Sequence, residues 1–301
     1  MATGPVRGTP QAIAARLAAF ERHFARAFPR ASLPPRRLHA AMRYSALSPG
    51  KRVRALLALT ACEAVGGDWR RALPAAAALE CVHAFSLVHD DLPAMDNDDY
   101  RRGRLTTHRK YGEAMGVLAG DALLALAFEE LARLEEHGLP PARVAEAVRV
   151  LAYAAGSREL VGGQVLDLEA EGTRATGKLV TEIHRRKTGG LISAALVLGG
   201  IAGGASPPGL RTLARVGRDL GVAFQIQDDL LNLSSSLERL GKRAGTDAAR
   251  RKATYPRAVG EERARAEAAR LYLRVLDRVE RMGPRAENLG RLIIAVGERE
   301  R

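Results

Sequence analysis

The chain has 301 residues, with a hydrophobic fraction of 47% and an aromatic fraction of only 4%. Alanine and leucine must therefore do most of the core packing, which favours close helix packing and disfavours a β-sandwich. The formal net charge of +13 is compatible with nucleic acid, a membrane surface or small polyanions as partners. Because the basic residues are spread along the chain, without a basic tail or interleaved aromatics, we expect small phosphorylated ligands and no nucleic acid.

The cysteine content and the apolar runs indicate the compartment. Cys62 and Cys81 are the only cysteines and form no CxxC pair, so neither a disulfide framework nor a cysteine metal site is predicted. The N-terminus lacks the basic-then-apolar pattern of a signal peptide. The uncharged stretch over residues 189–206 is too polar and too rich in glycine for a membrane span. We therefore expect a cytoplasmic protein without a membrane span.

Apolar residues recur at helical spacing through most of the chain, whereas no useful period-2 alternation predicts a strand. The segments predicted to be helical are 11–27, 49–64, 69–91, 112–134, 141–156, 179–198, 210–232, 260–281 and 285–298. Residues 1–10 are expected to be disordered, and residues 233–251 are expected to form a loop. Because no internal repeat or linker divides the sequence, residues 1–301 are predicted to form a single all-α domain.

The most informative segment runs from His89 to Gly103. It holds five carboxylates within ten residues, and Arg101 and Arg102 follow directly. Crowded carboxylates repel one another, so a fold that keeps them together needs cations, and oxygen ligands suit Mg²⁺. The neighbouring arginines suggest an anionic ligand that binds the metal and the guanidinium groups at the same time, such as a diphosphate. A solvated acidic turn is the alternative interpretation.

The spacing of the acidic residues predicts a break in the helix. Asp90 and Asp96 would lie roughly 240° apart around a straight helix, so they share a metal only if the helix ends or bends. Pro93 favours such an end. A second acidic pair begins at Asp228, far along the chain, and Asn232 shares its helix face. Two separate acidic patches suggest a cleft with carboxylates on facing walls, although each could be a solvated turn.

A basic segment precedes the first of these patches. Ser48 is suited to the N-cap of a helix and Pro49 to its first turn. Lys51 and Arg54 would then project from the same side of that turn. Because helix N-termini also favour anions, the segment predicts a diphosphate seat, with a solvated basic turn as the alternative.

Two apolar helices carry unusual residues. His83 lies two turns before Asp90 and shares its face, which suggests a site residue, although a core histidine is the alternative. Gly189 and Gly190 interrupt the predicted helix 179–198, and each costs about 1 kcal/mol relative to alanine. Either another backbone approaches closely there, or the helix is distorted.

Together these segments resemble the trans-prenyltransferases, the short-chain isoprenyl diphosphate synthases, and most nearly the bacterial farnesyl type. The resemblance covers roughly residues 40–260. Its strongest signal is the motif in which Asp90 and Asp91 are followed, after four other residues, by Asp96. The other shared motifs, in the family's order, are Gly50-Lys51-Arg52-Val53-Arg54, Lys187-Thr188-Gly189, Gln225-Ile226-Gln227-Asp228-Asp229, Gly241-Lys242 and Lys252-Ala253-Thr254-Tyr255-Pro256. The resemblance implies an antiparallel bundle of helices around a central cavity, the isoprenoid synthase type, and a homodimer.

The resemblance also implies which residues bind the two substrates. The resemblance implies three Mg²⁺ ions bound to an allylic diphosphate, with Mn²⁺ as a possible substitute. The carboxylates that hold these ions are Asp90, Asp96 and Asp228. The cations on that diphosphate are Arg101, Lys187 and Lys242, with Lys252 covering the site. The oxygens near the developing allylic cation come from Thr188 and Gln225. The seat for the second substrate, isopentenyl diphosphate, consists of Lys51, Arg54, His83 and Arg102.

The expected chemistry fits these residue types. A C–O bond breaks to give an allylic cation and diphosphate, which metal ions and fixed cations stabilise without a nucleophile. No activated Ser or Cys is visible in the sequence, and the resemblance implies that the departed diphosphate accepts the final proton. The expected product is farnesyl diphosphate. Phe85, with Ser86 beside it, lies about 7.5 Å before Asp90 along the helix. If the allylic tail runs down that helix from the metal site, the aromatic ring closes the bottom of its pocket. Phe85 as ordinary core is the alternative.

One residue departs from the family's pattern. The second acidic motif usually ends in Asp, but Asn232 keeps only a carbonyl oxygen, so weaker or water-mediated metal contact is expected. The alternatives left open are a geranylgeranyl or geranyl diphosphate synthase, a regulatory partner subunit and a non-catalytic basic protein that binds polyanions. A terpene cyclase is disfavoured because it needs no second diphosphate seat.

Overall fold

The structure is a computed structural model that describes residues 11–173, 175–239 and 252–298. Helices dominate all three ranges, so the predicted all-α class is confirmed. The segment 1–10, predicted to be disordered, lies outside the described residues, as does Lys242.

The α-helices, numbered here in chain order, are α1 (Gln11–Ala27), α2 (Arg36–Ala46), α3 (Val53–Ala64), α4 (Leu73–Asp90), α5 (Thr107–Tyr111), α6 (Glu113–Ala132), α7 (Pro141–Ala155), α8 (Leu160–Ala170), α9 (Gly177–Ile183), α10 (Gly190–Ala202), α11 (Pro207–Arg239), α12 (Tyr255–Val259), α13 (Glu261–Glu280) and α14 (Glu287–Gly297). Short 3₁₀ turns cover Trp69–Ala72 and Pro284–Ala286, and His184–Gly189 forms a π-helical turn. The short strands β1 (Tyr100–Arg101) and β2 (Arg104–Leu105) pair in an antiparallel hairpin.

The centre of the fold consists of α3, α4 and α10, whose residues are buried along almost their whole length. Small side chains allow these helices to approach closely. A Cβ atom on Gly199 of α10 would lie 2.1 Å from the backbone oxygen of Ala58 in α3. On its other side α10 packs against α7 and α11. The scarcity of aromatics in the sequence is thus matched by a core of closely spaced helices.

Helix α3 begins later than the sequence predicts. Ser48 does not cap it, because its hydroxyl donates to the backbone oxygen of Tyr44 at 2.7 Å. The helix starts at Val53, and Arg52 occupies the N-cap position in the left-handed region with φ of 46°. Pro49 therefore lies in the preceding loop and not in the first helical turn.

The ion pairs of a buried arginine explain this late start. Arg52 is only 7% exposed, and its guanidinium donates to Glu21 at 2.8 Å and lies 3.5 Å from Glu80. These contacts hold the backbone of the loop in place. Lys51 consequently precedes the helix while Arg54 lies in its first turn, so the prediction that both share that turn is wrong.

Other differences concern helix length. Helix α11 continues to Arg239, so the predicted loop does not start at residue 233. Helices α2, α5, α8 and α12 were not among the predicted segments. Helix α5 has only five residues, which is too short for a periodic apolar pattern to be recognised.

One stretch, Trp69–Asp90, is long and apolar enough to span a membrane by length and composition alone. The window that meets this test is 61% buried inside the protein, as expected for a helix at the centre of the core. The composition of this stretch therefore matches its place in the core.

We predict that Gly199→Ala destabilises the protein by about 2 kcal/mol, because the added methyl group overlaps backbone that cannot move without displacing α3. Gly209→Ala is the matched control, since its Cβ would meet its nearest neighbour, Ser206 Oγ, at an ordinary 3.6 Å. Urea denaturation of both variants measures the difference. Equal stability of the two variants would contradict the close approach of α10 to α3.

Candidate active site

The first acidic segment folds back on the end of α4. The helix ends at Asp90, and the backbone N–H of Asp96 donates to the carbonyl oxygen of Asp90 at 2.7 Å. The predicted break around Pro93 is therefore confirmed. Burial raises the pKa of the Asp90 carboxyl, and the charge of Asp96 raises it further. Nearby cations oppose this shift, namely Lys187, Arg101 and Lys252.

The second aspartate of this segment has a different partner. Asp91 is 3% exposed and accepts from Arg101, whose Nε lies 2.7 Å away and whose Nη2 lies 2.6 Å away. Arg101 also lies 3.7 Å from Asp98. Asp91 thus anchors the hairpin β1–β2, which carries the arginine.

A basic cleft of about 760 Å³ lies between α3, α4 and the hairpin. The four residues predicted to form a diphosphate seat all line this basic cleft: Lys51, Arg54, His83 and Arg102. Burial lowers the pKa of His83 well below its usual value, and the positive charges of Arg54 and Arg102 lower it further. The imidazole is therefore neutral at pH 7, and the other three residues supply the positive charge.

The basic cleft extends towards both acidic segments. Phe224 of α11 lines it, and Asp228 lies four residues later on the same face of that helix. His83 lines it from α4, and Asp90 lies two turns later on the same face. Each acidic segment thus continues a helix face that borders the same cleft.

A short segment, residues 252–255, contacts both acidic segments directly. Lys252 Nζ lies 3.5 Å from Asp96 Oδ1 in the first. The backbone N–H of Tyr255 donates to Asp229 Oδ2 in the second at 2.8 Å. The two acidic segments, which are far apart in sequence, therefore border one site.

The π-helical turn places two further predicted residues at the site. Lys187 Nζ lies 2.7 Å from Asp167 Oδ2 of α8, and Thr188 Oγ1 donates to Gln225 Oε1 of α11 at 2.9 Å. The turn contains one more residue than an α-helical turn, as is frequent at functional sites. The distortion suggested by the paired glycines is therefore observed.

Asp167 and Asp229 were not among the predicted site residues. The partner of Asp167, Lys187, lies twenty residues away in another element. Asp229 accepts from Gln225 Nε2 at 3.4 Å and lies 3.3 Å from His184 Nε2, besides its contact with Tyr255. Of these contacts only the one with Gln225 has the four-residue spacing of a single helix face.

The residues predicted to set product length lie deeper in α4. Phe85 is 8% exposed, and its ring centroid lies 4.8 Å from that of His89. Ser86 donates from its hydroxyl to the carbonyl oxygen of His83 at 2.9 Å. Both lie beneath the first acidic segment, and neither is among the residues that line the basic cleft.

The donor set fits Mg²⁺ held together with a substrate. Among the described residues, no group of three or more His, Cys, Asp or Glu could hold a metal ion alone. Mg²⁺ is commonly bound by one or two carboxylates plus substrate phosphates, and Asp90, Asp96 and Asp228 offer only oxygen donors. Asn232 lies exposed one turn beyond Asp228 and would add a neutral oxygen.

Known proteins resemble this chain in both sequence and structure. The sequence profile of the polyprenyl synthetase family matches residues 35–285. Geranylgeranyl pyrophosphate synthase 7, chloroplastic, of Arabidopsis thaliana is 50% identical over 234 residues, which cover 77% of this chain and 67% of that protein.

Two solved structures have similar folds. An FPP/GFPP synthase from Zymomonas mobilis is 37% identical with a TM-score of 0.82, covering 94% of this chain and 96% of that one. A geranyltransferase from Helicobacter pylori, complexed with magnesium and isoprenyl diphosphate, is 30% identical with a TM-score of 0.83, covering 97% and 98%. With most of its length matched by the family profile, the chain belongs to the polyprenyl synthetases, the trans-isoprenyl diphosphate synthase family.

Proposed function

We propose that this protein is a Mg²⁺-dependent prenyltransferase of one domain, residues 1–301. It condenses isopentenyl diphosphate with an allylic diphosphate, dimethylallyl or geranyl, to give farnesyl diphosphate. The observation that carries the proposal is the meeting of two acidic segments beside a cleft lined by Lys51, Arg54 and Arg102. A protein that merely binds polyanions has no use for those acidic segments.

The acidic segments and their cations bind the allylic diphosphate. The carboxylates that would hold Mg²⁺, proposed as three ions, are those of Asp90, Asp96 and Asp228. When bound, Mg²⁺ would neutralise the charge that develops on the leaving diphosphate. The side-chain cations that contact the same group are Arg101, Lys187, Lys242 and Lys252. Fixed charges of this kind stabilise the departing anion without having to reorganise during the reaction.

The basic cleft binds isopentenyl diphosphate beside the allylic substrate. Lys51, Arg54 and Arg102 supply its positive charge, and the neutral His83 contributes a hydrogen bond. The C–O bond of the allylic substrate breaks, and the double bond of isopentenyl diphosphate forms the new C–C bond to the cation. A proton then leaves the adjacent carbon for the departed diphosphate, which restores a double bond. Thr188 and Gln225, joined by a hydrogen bond, place oxygens near the cation.

The product is proposed to be farnesyl diphosphate because an aromatic ring, Phe85, is buried below Asp90 where the growing tail would run. Geranylgeranyl diphosphate is the second candidate, since a relative 50% identical to this chain carries that name. Product analysis with the purified protein and each allylic starter distinguishes the two.

The proposal includes a cytoplasmic homodimer. Cys62 and Cys81 are free, buried thiols, which suits a reducing compartment. Apolar side chains exposed on α6, including Val117 and Leu118, offer a surface that a second copy can cover. The molar mass measured by light scattering tests the dimer, and a monomer at all concentrations would contradict it.

We predict that Asp90→Ala lowers kcat by on the order of 10²- to 10³-fold, because one wall of the metal site is lost. The free energy of unfolding at pH 7 should not fall. Burial raises the pKa of this carboxyl, so folding disfavours its charged form. Asp99→Ala is the control, because Asp99 lies in the same segment but is exposed and pairs with Arg109 at 2.9 Å. Diphosphate release with and without Mg²⁺ measures the effect, and full activity of Asp90→Ala would refute the assignment.

We predict that Lys51→Ala raises the KM for isopentenyl diphosphate about tenfold, as expected for one charged contact, and leaves the KM for the allylic substrate little changed. Arg104→Ala serves as the control from the same cleft, because its guanidinium lies 4.2 Å from the Tyr44 ring centroid and donates to Ser48. Initial rates measured with each substrate varied in turn separate the two constants. An equal rise in both would argue against a separate second seat.

We predict that Phe85→Ala lengthens the product by at least one five-carbon unit, because removing the ring deepens the space below Asp90. Leu79→Ala, also fully buried in α4, controls for loosening of the core, which costs about 3 kcal/mol in such truncations. Chromatography of radiolabelled products measures chain length. Unchanged products from Phe85→Ala, or longer products from both variants, would count against Phe85 as the floor.

A further inference from the structure

We propose that Asp229, the second aspartate of the second acidic segment, is a positioning residue and not a metal ligand. It anchors residues 252–255 so that Lys252 faces the first acidic segment. This inference rests on the proposed function for its effect on catalysis. The anchor itself is a property of the substrate-free protein.

Asp229 is a buried carboxylate that already has its hydrogen-bond donors. It is 8% exposed and accepts from the backbone N–H of Tyr255 at 2.8 Å and from Gln225 Nε2 at 3.4 Å. His184 Nε2 lies 3.3 Å from its Oδ2. A buried charge is stable only with such partners. These donors orient the carboxylate towards residues 252–255, and the helix geometry turns it about 100° away from Asp228, whose face borders the basic cleft.

The contact with Tyr255 fixes the start of a helix. Tyr255 is the first residue of α12, and the first N–H groups of a helix have no partner within it. Thr254 occupies the N-cap position but provides no side-chain cap. The carboxylate of Asp229 on α11 takes that role from outside the helix. Docking of α12 onto α11 therefore depends on this residue.

Lys252 is carried by the same short segment. Its ammonium group lies 3.5 Å from Asp96 Oδ1 and contributes to the charge that acts on Asp90. Only two residues separate it from the anchored Tyr255. A shift of Tyr255 away from Asp229 would consequently move Lys252 relative to the first acidic segment.

The carboxylate also holds the π-helical turn. His184 is the first residue of that turn, and its ring centroid lies 6.2 Å from that of Tyr255. Lys187 lies in the same turn, three residues later. Asp229 therefore joins two elements that each carry a lysine of the site, whereas its neighbour Asp228 shares the helix face that borders the basic cleft.

A double-mutant cycle tests this role. We expect Asp229→Ala and Lys252→Ala each to lower kcat/KM for the allylic substrate by on the order of 10- to 100-fold. The double variant should be no worse than the poorer single variant, because both changes remove the same interaction. Losses that multiply in the double variant would overturn the proposal.

The dependence on Mg²⁺ separates an anchor from a metal ligand. Asp228→Asn should raise the Mg²⁺ concentration needed for half-maximal activity, whereas Asp229→Ala should leave it unchanged. Asp229→Asn should be much milder than Asp229→Ala, because its amide oxygen can still accept from the Tyr255 N–H. A raised Mg²⁺ requirement in either Asp229 variant would assign this residue to the metal and overturn the proposal.

Hydrogen–deuterium exchange tests the anchor without any activity. In the metal-free and substrate-free protein, the peptide that contains residues 252–259 should exchange faster in Asp229→Ala than in wild type and in the control Asp228→Ala. Unchanged exchange in Asp229→Ala would overturn the anchor, even in an active enzyme. Wild-type protein that shows no prenyl transfer would instead refute the proposed function, and the exchange result would still stand.

Discussion

The site depends on keeping carboxylates from two distant segments close together in a partly buried cleft. Burial and mutual repulsion both act against the charged form of Asp90, and the cations that surround it offset part of this cost. In the substrate-free protein these cations already have acidic partners, as Lys252 has in Asp96 and Lys187 has in Asp167. In the proposed function, a diphosphate arrives together with Mg²⁺. The lysines can then pair with the diphosphate and the aspartates with Mg²⁺, so that no charge is left without a partner.

Close helix packing determines where these charges lie. A Cβ on Gly221 of α11 would lie 2.4 Å from Cα of Gly189 in the π-helical turn. This contact lies one residue from Thr188 and four from Gln225, whose side chains bond across the same gap. Larger residues at the two glycines would push the helices apart and break that bond. The small-residue composition that predicts a helical fold therefore also sets the width of the site.

Sequence reasoning succeeded where a local rule decides the structure and failed where a distant partner overrides it. Helix α4 ends before Pro93 as expected, because a proline lacks the backbone N–H and its ring clashes with the carbonyl four residues earlier. Ser48 is a good cap by type, yet the buried Arg52 holds the loop through Glu21 and Glu80. Residues 48–54 contain no sign of these partners. The roles of Asp167 and Asp229 were missed for the same reason, since each role is defined by other elements.

Adjacent aspartates on a helix cannot both face the same cleft, because consecutive residues point about 100° apart. In each acidic segment the first aspartate continues the cleft-facing surface, and the second is buried, where a charge needs donors. Asp91 finds one in Arg101, and Asp229 finds one in the backbone N–H of Tyr255. In both cases the donor belongs to an element that carries a cation towards the site. In the proposed function, the first aspartate of each pair is the metal ligand, and the second fixes the cationic element that works beside it.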